Sequence, residues 1–389
     1  MKALRCTTLV ALLLFSFFVT VQFANAEEPS LSIQSEAAVV IDGKSGQILY
    51  GKNENEKMYP ASITKIATAI YALENCELDD VVTVSENAAN VEGTSVYLEV
   101  GEQVTVEKLL IGMLINSGND AAIAIAEHID GSVEKFSEKM NMFLKNNIGV
   151  TSTSFVNPNG LYDENHYTTA SDMAKITQYA MKNEQFRNIF QMQEYQWDGL
   201  SWDTTLITHH RLLKGEFPFE GITGGKNGFV DESGQTLVTT ATRGDLDLIA
   251  VTLKTNYKDV PYTDTIQLLN FGFDNFHTEM IPKFSTLQSN GKNYIAPEDL
   301  YFSVKNGEQY KENIDPDGQL NIVNDANEII TTFPLTPEIE ESETSTVAVS
   351  NPHTEKESSI DFFPGYVIVL FLFIIGFLFV RKRRAKKEY

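Results

Sequence analysis

Two apolar runs, one at each end of the chain, delimit the part that can fold as a globular domain. The N-terminal run, Leu9 to Val21, follows two basic residues and precedes the small-residue cleavage pattern Ala24-Asn25-Ala26. This arrangement is typical of a secretory signal peptide, which we predict over residues 1–26. The globular part is therefore expected to begin near Glu27 and to fold outside the cytoplasm.

The C-terminal run is a predicted transmembrane helix over residues 362–380. It contains no charged residue, and its nineteen residues, at a rise of about 1.5 Å each, just cross a hydrocarbon core of roughly 30 Å. The basic tail at 381–389 is expected to stay in the cytoplasm. Residues 334–361, acidic and rich in Ser and Thr, are expected to form a flexible linker to the extracytoplasmic domain.

Covalent attachment to the cell wall is the alternative to this membrane anchor. Asn351-Pro352-His353-Thr354 lies upstream of the apolar run and the basic tail, an arrangement similar to sortase sorting signals. Glu355 stands where the related motif would have an asparagine. We therefore favour the membrane anchor and interpret this segment as part of the linker.

The charge of the chain excludes a nucleic-acid partner. Residues 27–380 contain 22 basic and 52 acidic residues, a net charge of −30. Such a charge also argues against an electrostatic attachment to anionic lipid. Cys76 is the one cysteine outside the signal peptide, so no internal disulfide can form, and we predict that it is a buried structural thiol.

No cofactor or metal is expected. The six histidines form no recognisable ligand set, and the pair His209-His210 is interpreted as structural. The chain has no Gly-rich phosphate loop and no Gly-x-Ser-x-Gly elbow of the kind that presents a triad serine.

The apolar pattern of the middle of the chain predicts an α/β (α+β) domain over 27–280, a sheet covered by a helical block. A small β-rich module is expected over 281–333, where short strand-like stretches alternate with Asn, Gly and Asp. The predicted elements are a hairpin over 37–50, helices over 66–73, 104–115, 120–128, 136–144, 170–181 and 263–273, and strands over 235–241 and 246–253.

The pattern Ser-x-x-Lys occurs three times, at Ser62/Lys65, Ser132/Lys135 and Ser289/Lys292. On a helix the two residues share one face, so the lysine can accept the proton of the serine. Lysine is normally protonated, and burial together with a second cation would be needed to lower its pKa. Without further motifs, Ser62 would be better interpreted as the N-cap of a helix.

Three long stretches distinguish the first of these pairs from the others. They are YPASITKIAT at 59–68, GMLINSGNDAAIAIAE at 112–127 and GGKNGFVDESG at 224–234. Together they resemble the Ser-x-x-Lys, Ser-x-Asn and Lys-Thr-Gly motifs of the serine D-alanyl-D-alanine carboxypeptidases, the low-molecular-weight penicillin-binding proteins of the peptidase S11 family. The resemblance spans about 37–273 and implies a fold like that of the serine β-lactamases and DD-peptidases.

This resemblance implies a role for each matching residue. Ser62 would form the acyl-enzyme and Lys65 would accept its proton, while Ser117 would relay a proton to the leaving D-alanine. Asn119 would hold the peptide of the substrate. Lys226 would bind the terminal carboxylate and lower the pKa of Lys65.

The third motif departs from the family pattern at Asn227, where the family usually has a threonine or serine whose hydroxyl helps to hold the carboxylate. An amide can donate a hydrogen bond, but with a different length and geometry, so weaker binding is expected. Gly225 and Gly228 flank this stretch, and we expect them to let a peptide approach the backbone closely. Backbone N–H groups of Ser62 and of the strand after Lys226 are the expected oxyanion hole.

The implied activity is removal of the terminal D-alanine from peptidoglycan stem peptides, in cell-wall biogenesis, with β-lactams acylating Ser62. A serine β-lactamase is one alternative, although Ser117-Gly118-Asn119 lacks the Asp that such enzymes have between Ser and Asn. A non-catalytic wall-binding or β-lactam-binding protein is the other.

Overall fold

The computed structural model describes residues 31–338. The predicted signal peptide (1–26), transmembrane helix (362–380), basic tail (381–389) and the segment Asn351–Thr354 all lie outside the described residues. Within 31–338, no helix is long and apolar enough to cross a bilayer.

A five-stranded antiparallel sheet is the centre of the fold, with the strand order β2-β1-β9-β8-β7. Strand β7 therefore lies at one edge. The strands are β1 (Ala37–Asp42), β2 (Ile48–Lys52), β7 (Ile222–Val230), β8 (Gly234–Arg243) and β9 (Leu246–Thr255).

The apolar pattern predicted a sheet covered by a helical block, and in the structure helices lie on both faces of the sheet. Ala37, Val39 and Ile41 of β1 belong to the larger core on the side of the helical block. The alternate residues Ala38 and Val40 belong to a second core with α8 on the other face, as the period of two in a strand requires. The helices are α1 (Lys65–Leu73), α2 (Glu86–Ala89), α3 (Val106–Ile115), α4 (Asn119–Asp130), α5 (Val133–Phe143), α6 (Ala170–Ala180), α7 (Glu184–Phe190) and α8 (Val260–Asn275).

Several short elements were not predicted. Two two-stranded ribbons pair β3 with β4 and β5 with β6, and irregular helical turns precede α1 and follow α5. These elements are β3 (Val81–Thr83), β4 (Gln103–Thr105), β5 (Glu194–Asp198), β6 (Asp203–Ile207), a 3-10 helix (Ala61–Thr64) and a π-helical turn (Leu144–Ile148).

A set of small sheets follows α8 and has a core of its own, centred on Phe302 and Leu320. Its strands begin at Phe276 rather than at 281 and continue to Pro337, so the first residues of the predicted linker belong to them. The strands are β10 (Phe276–Ile281), β11 (Thr286–Ser289), β12 (Lys292–Ile295), β13 (Leu300–Lys305), β14 (Tyr310–Ile314), β15 (Gln319–Asn324), β16 (Ile329–Pro334) and β17 (Thr336–Pro337).

A buried carboxylate joins these small sheets to the β1–β2 turn. One oxygen of Asp42 accepts hydrogen bonds from Thr278 Oγ1 at 2.7 Å and from Ser303 Oγ at 2.8 Å. The other accepts from the backbone N–H of Lys44 at 2.7 Å. Because Asp42 is fully buried, losing these donors would leave an unsatisfied charge, which favours one fixed attachment.

Candidate active site

Ser62 lies inside the 3-10 helix that precedes α1 and is partly exposed. It does not cap that helix, because the cap position is Pro60, which makes no side-chain cap hydrogen bond. Ala61 has a φ of +50°, and a Cβ on Gly160 would lie 2.0 Å from the Ala61 carbonyl oxygen. Only glycine fits at position 160, because this loop packs directly against the backbone of Ala61, the residue before Ser62.

Lys65 is the first residue of α1 and is completely buried. Its Nζ lies 3.1 Å from Ser62 Oγ, 2.8 Å from Asn119 Oδ1 and 2.5 Å from the Asn159 carbonyl oxygen. The pKa of Lys65 is lowered well below its usual value, first by burial and then by the charge of Lys226. A proton-accepting role for Lys65 calls for a second cation nearby, and in the structure Lys226 is that cation.

Lys226 lies in the edge strand β7, with its side chain buried. Its Nζ donates to Ser117 Oγ at 3.1 Å and to the Asn227 carbonyl oxygen at 2.8 Å. Burial lowers the pKa of Lys226 to about 7. Ser117 lies between α3 and α4 with a φ of +64°, an unfavourable conformation for serine of the kind that persists at functional sites.

Asn119 is buried at the start of α4 and contacts two elements at once. Its Oδ1 accepts from Lys65, and its Nδ2 donates to the Glu92 carbonyl oxygen at 2.8 Å. In this structure the amide thus orients Lys65, besides the expected role of holding a substrate peptide. The next residue, Asp120, is buried and accepts three backbone N–H groups, from Val96, Leu98 and Ala121. Its charge raises the pKa of Lys65 and so partly opposes the effect of burial.

The two glycines of the third motif have different neighbours. A Cβ on Gly228 would lie 2.7 Å from the Ser62 backbone nitrogen, so β7 and the serine touch there. A Cβ on Gly225 would instead lie 2.3 Å from His210 Nε2, so this glycine makes room for a buried ring. Asn227 is partly exposed, and its side chain makes no hydrogen bond within residues 31–338.

Of the pair His209-His210, which was interpreted as structural, His210 is buried and hydrogen-bonded, whereas His209 is exposed. His210 Nε2 pairs with Thr239 Oγ1 at 2.9 Å, and His210 Nδ1 accepts from the Leu213 N–H at 3.1 Å. Burial lowers the pKa of His210 to about 3, so the ring is neutral. Cys76 is only partly buried, whereas a buried thiol was predicted. It follows the C-terminal end of α1, and Lys65 lies at the N-terminal end of the same helix.

Two residues that contact or influence Lys65 could not be identified from the motifs. The Asn159 carbonyl comes from a loop for which the stretch FVNPNGL gave only a supporting signal, because any residue type can supply a carbonyl. Asp120 follows the second motif, and acidic residues are common in the first turn of a helix. Its burial was therefore not evident from the sequence.

Comparisons with known proteins identify the family. A family model described as D-alanyl-D-alanine carboxypeptidase, peptidase S11, matches residues 22–256. D-alanyl-D-alanine carboxypeptidase DacF of Bacillus subtilis is 34% identical over 292 residues, 73% of this chain and 74% of its own. DacA of Haemophilus influenzae is 32% identical over 329 residues, 78% and 77% of the two chains.

Solved structures agree with this match. Penicillin-binding protein 5 from Haemophilus influenzae has a TM-score of 0.70 at 25% identity, covering 78% of this chain and 96% of that one. A D-alanyl-D-alanine carboxypeptidase from Mycobacterium tuberculosis has a TM-score of 0.60 at 28% identity, covering 64% and 95%. By sequence and by fold, the chain belongs to the peptidase S11 family, the serine D-alanyl-D-alanine carboxypeptidases of cell-wall peptidoglycan metabolism.

Proposed function

We propose that the chain removes the terminal D-alanine from peptidoglycan stem peptides that end in D-Ala-D-Ala, with Ser62 as the nucleophile. The observation that carries this proposal is the set of three contacts of Lys65 Nζ. A neutral amine has two N–H groups and one lone pair. Asn119 Oδ1 and the Asn159 carbonyl can only accept, so they take the two N–H groups. The lone pair is left facing Ser62 Oγ at 3.1 Å.

In the first step, Ser62 Oγ bonds to the carbonyl carbon of the penultimate D-alanine while its proton passes to Lys65. The C–N bond of the peptide then breaks, and the leaving amine of the terminal D-alanine takes a proton from Ser117 Oγ, which lies 3.1 Å from Lys226 Nζ; the proton that Lys65 took from Ser62 replaces the one that Ser117 gives up. Water then attacks the carbonyl carbon of the ester and gives a proton to Lys65, which returns it to Ser62 Oγ as the C–O bond breaks and the stem peptide leaves. No metal or organic cofactor has a part in these steps.

Two features of β7 support the placement of the substrate. Protonated Lys226 offers a positive charge to the terminal carboxylate, and the neighbouring Asn227 amide is free to donate to it. The contact of Gly228 with the Ser62 backbone brings two peptide units together. We therefore assign the oxyanion hole to the N–H of Ser62 and an N–H of β7 beyond Lys226.

Fluorescent penicillin and a D-alanine release assay test this function on the intact protein. Penicillin mimics the acyl-D-Ala-D-Ala end, so we expect a stable covalent adduct and release of D-alanine from an acetylated L-Lys-D-Ala-D-Ala peptide. Rapid turnover of penicillin without release of D-alanine would establish the β-lactamase alternative. A chain that forms no adduct and releases no D-alanine would be a non-catalytic protein.

Asn227→Thr should strengthen the binding of both the D-Ala-D-Ala peptide and penicillin. A threonine hydroxyl restores the family's contact to the carboxylate, so we expect kcat/KM for D-alanine release and the rate of penicillin acylation to rise about two- to tenfold. Asn227→Ala, which removes the amide donor, is the matched control and should lower both rates. If threonine changes neither rate, the amide is already an equivalent donor.

We propose further that the catalytic domain is exported and held at the membrane by the helix predicted at 362–380. The support is the sequence alone, namely the apolar run and the basic tail after it. The full chain should sediment with membranes and be accessible to external protease, whereas a chain ending at residue 361 should be released into the medium. Membrane retention of the truncated chain, or release of the full chain only by wall-degrading enzymes, would contradict this anchor.

A further inference from the structure

The proposed reaction fixes the direction of the bound peptide. The terminal carboxylate lies at Lys226, and the scissile carbonyl lies at Ser62, next to Gly228. From its C-terminus toward its N-terminus, the peptide therefore follows β7 from 226 to 228, which makes it antiparallel to that strand. Because β7 is an edge strand, it can accept such an added strand. The residue before D-Ala-D-Ala then lies beside Phe229 and the turn after β7.

An aromatic pair lies close to this end of β7. The rings of Tyr59 and Tyr162 meet edge to face, with their centroids 5.0 Å apart. Tyr59 is followed by Pro60, whose carbonyl accepts from Thr236 Oγ1 of β8 at 2.8 Å. Tyr162 is 47% exposed, so its ring offers an apolar surface to a ligand.

The same backbone segments hold the nucleophile. Tyr162 follows Gly160, which packs on the carbonyl of Ala61, and Asn159 of this loop binds Lys65. The aromatic pair is therefore fixed relative to Ser62 from both sides, by the loop at 157–162 and by the segment 59–62. A subsite held in this way can select among substrates, because ligand binding spends little free energy on ordering its side chains.

The charge around the pair is negative. The pKa of the Tyr162 hydroxyl is raised, first by a side-chain hydrogen bond with Tyr59 and to a smaller extent by the negative charges of Glu232, in the β7–β8 turn, and of Glu164. Both side chains are exposed. The nearby Lys57 is directed at another ring, with its Nζ 4.2 Å from the centroid of Tyr167. A ligand side chain here meets aromatic carbon first and acidic oxygen beyond it.

We propose that Tyr59 and Tyr162 form a specificity subsite for the side chain of the residue that precedes D-Ala-D-Ala, and that this subsite favours an alkyl chain ending in a protonated amine. The alkyl part packs on the exposed ring of Tyr162, and the amine faces Glu232. This inference rests on the proposed function, because it takes the direction of the peptide from it.

Three acetylated peptides of the form X-D-Ala-D-Ala test this subsite, with X as L-Lys, Nε-acetyl-L-Lys or L-Ala. The native chain should show the highest kcat/KM for L-Lys and the lowest for L-Ala. Tyr162→Ala should lower kcat/KM for the two lysine-type peptides about tenfold and change that for L-Ala by less than about twofold. Glu232→Gln should remove the preference of up to about fivefold for the free amine over the acetylated one.

Phe284→Ala is the matched control, because Phe284 is an aromatic residue 72% exposed in the loop after β10; it should leave all three values unchanged. Tyr162→Phe should keep the preference for lysine-type peptides, since the ring edge remains. If Tyr162→Ala lowers kcat/KM equally for all three peptides, or for none of them, the proposed subsite is contradicted while the carboxypeptidase function stands. If the native chain forms no penicillin adduct and releases D-alanine from no peptide, the proposed function fails and the subsite with it.

Discussion

The Ser62→Ala chain should form no covalent adduct with fluorescent penicillin and should release D-alanine at least about 10⁴-fold more slowly than the native chain. The oxygen that forms the ester is absent, and no other hydroxyl lies against the Lys65 amine among the contacts of residues 31–338. Because Ser62 is partly exposed and makes no helix cap, its replacement should leave the melting temperature nearly unchanged. Gel fluorescence, a D-alanine assay and a thermal melt measure the three quantities.

Ser132→Ala is the matched control for this result, since Ser132 also stands three residues before a lysine. Its Oγ accepts from the Lys135 N–H as the N-cap of α5, so the change should cost about 1 kcal/mol of stability while labelling persists. An adduct that survives Ser62→Ala, or that is lost in Ser132→Ala at a temperature where the chain is folded, would contradict the assignment of Ser62.

The long periodic segments of the fold could be predicted because burial imposes their spacing. The strands β8 and β9 and the helices α1 and α8 all lie close to their predicted positions. The ribbon of β5 and β6 could not be found in this way, because it pairs locally and its residues alternate only weakly between buried and exposed. The domain boundary at 281 stays a prediction; β10 continues directly from α8, so no turn separates the last helix from the first strand that follows it.

The short motifs alone could not separate the site from ordinary caps and turns. Ser85-Glu86-Asn87 also fits Ser-x-Asn, but Ser85 caps α2 by accepting from the Ala88 N–H. Ser289 and Lys292, which fit Ser-x-x-Lys, pair across the β11–β12 hairpin. The long flanks identified the correct stretches. What they could not supply were contacts made by backbone atoms, such as the Asn159 carbonyl on Lys65, because no residue type encodes them.

Opposite shifts of the pH profile should follow from Lys226→Met and Asp120→Asn. In the native chain, kcat/KM should rise with pH as Lys65 loses its proton and becomes a base. It should fall again as Lys226 loses its proton, near the Lys226 pKa of about 7. Lys226→Met removes a charge that lowers the pKa of Lys65. Its rising limb should therefore move to higher pH and its falling limb should disappear. The maximum of kcat/KM should drop about ten- to hundredfold, because the carboxylate loses a charged donor.

Asp120→Asn acts in the other direction, because the Asp120 charge raises the pKa of Lys65. Without that charge, Lys65 is deprotonated at lower pH, and the rising limb should move to lower pH while the falling limb stays in place. The asparagine cannot accept all the N–H groups that the carboxylate accepts, so the variant should also be less stable, and its profile must be measured below its melting temperature. Shifts in the same direction would show that the two charges do not set the pKa of Lys65. A rising limb that moves in neither variant would show that the titrating base is not Lys65, and it would remove the basis for treating Ser62 and Lys65 as one catalytic unit.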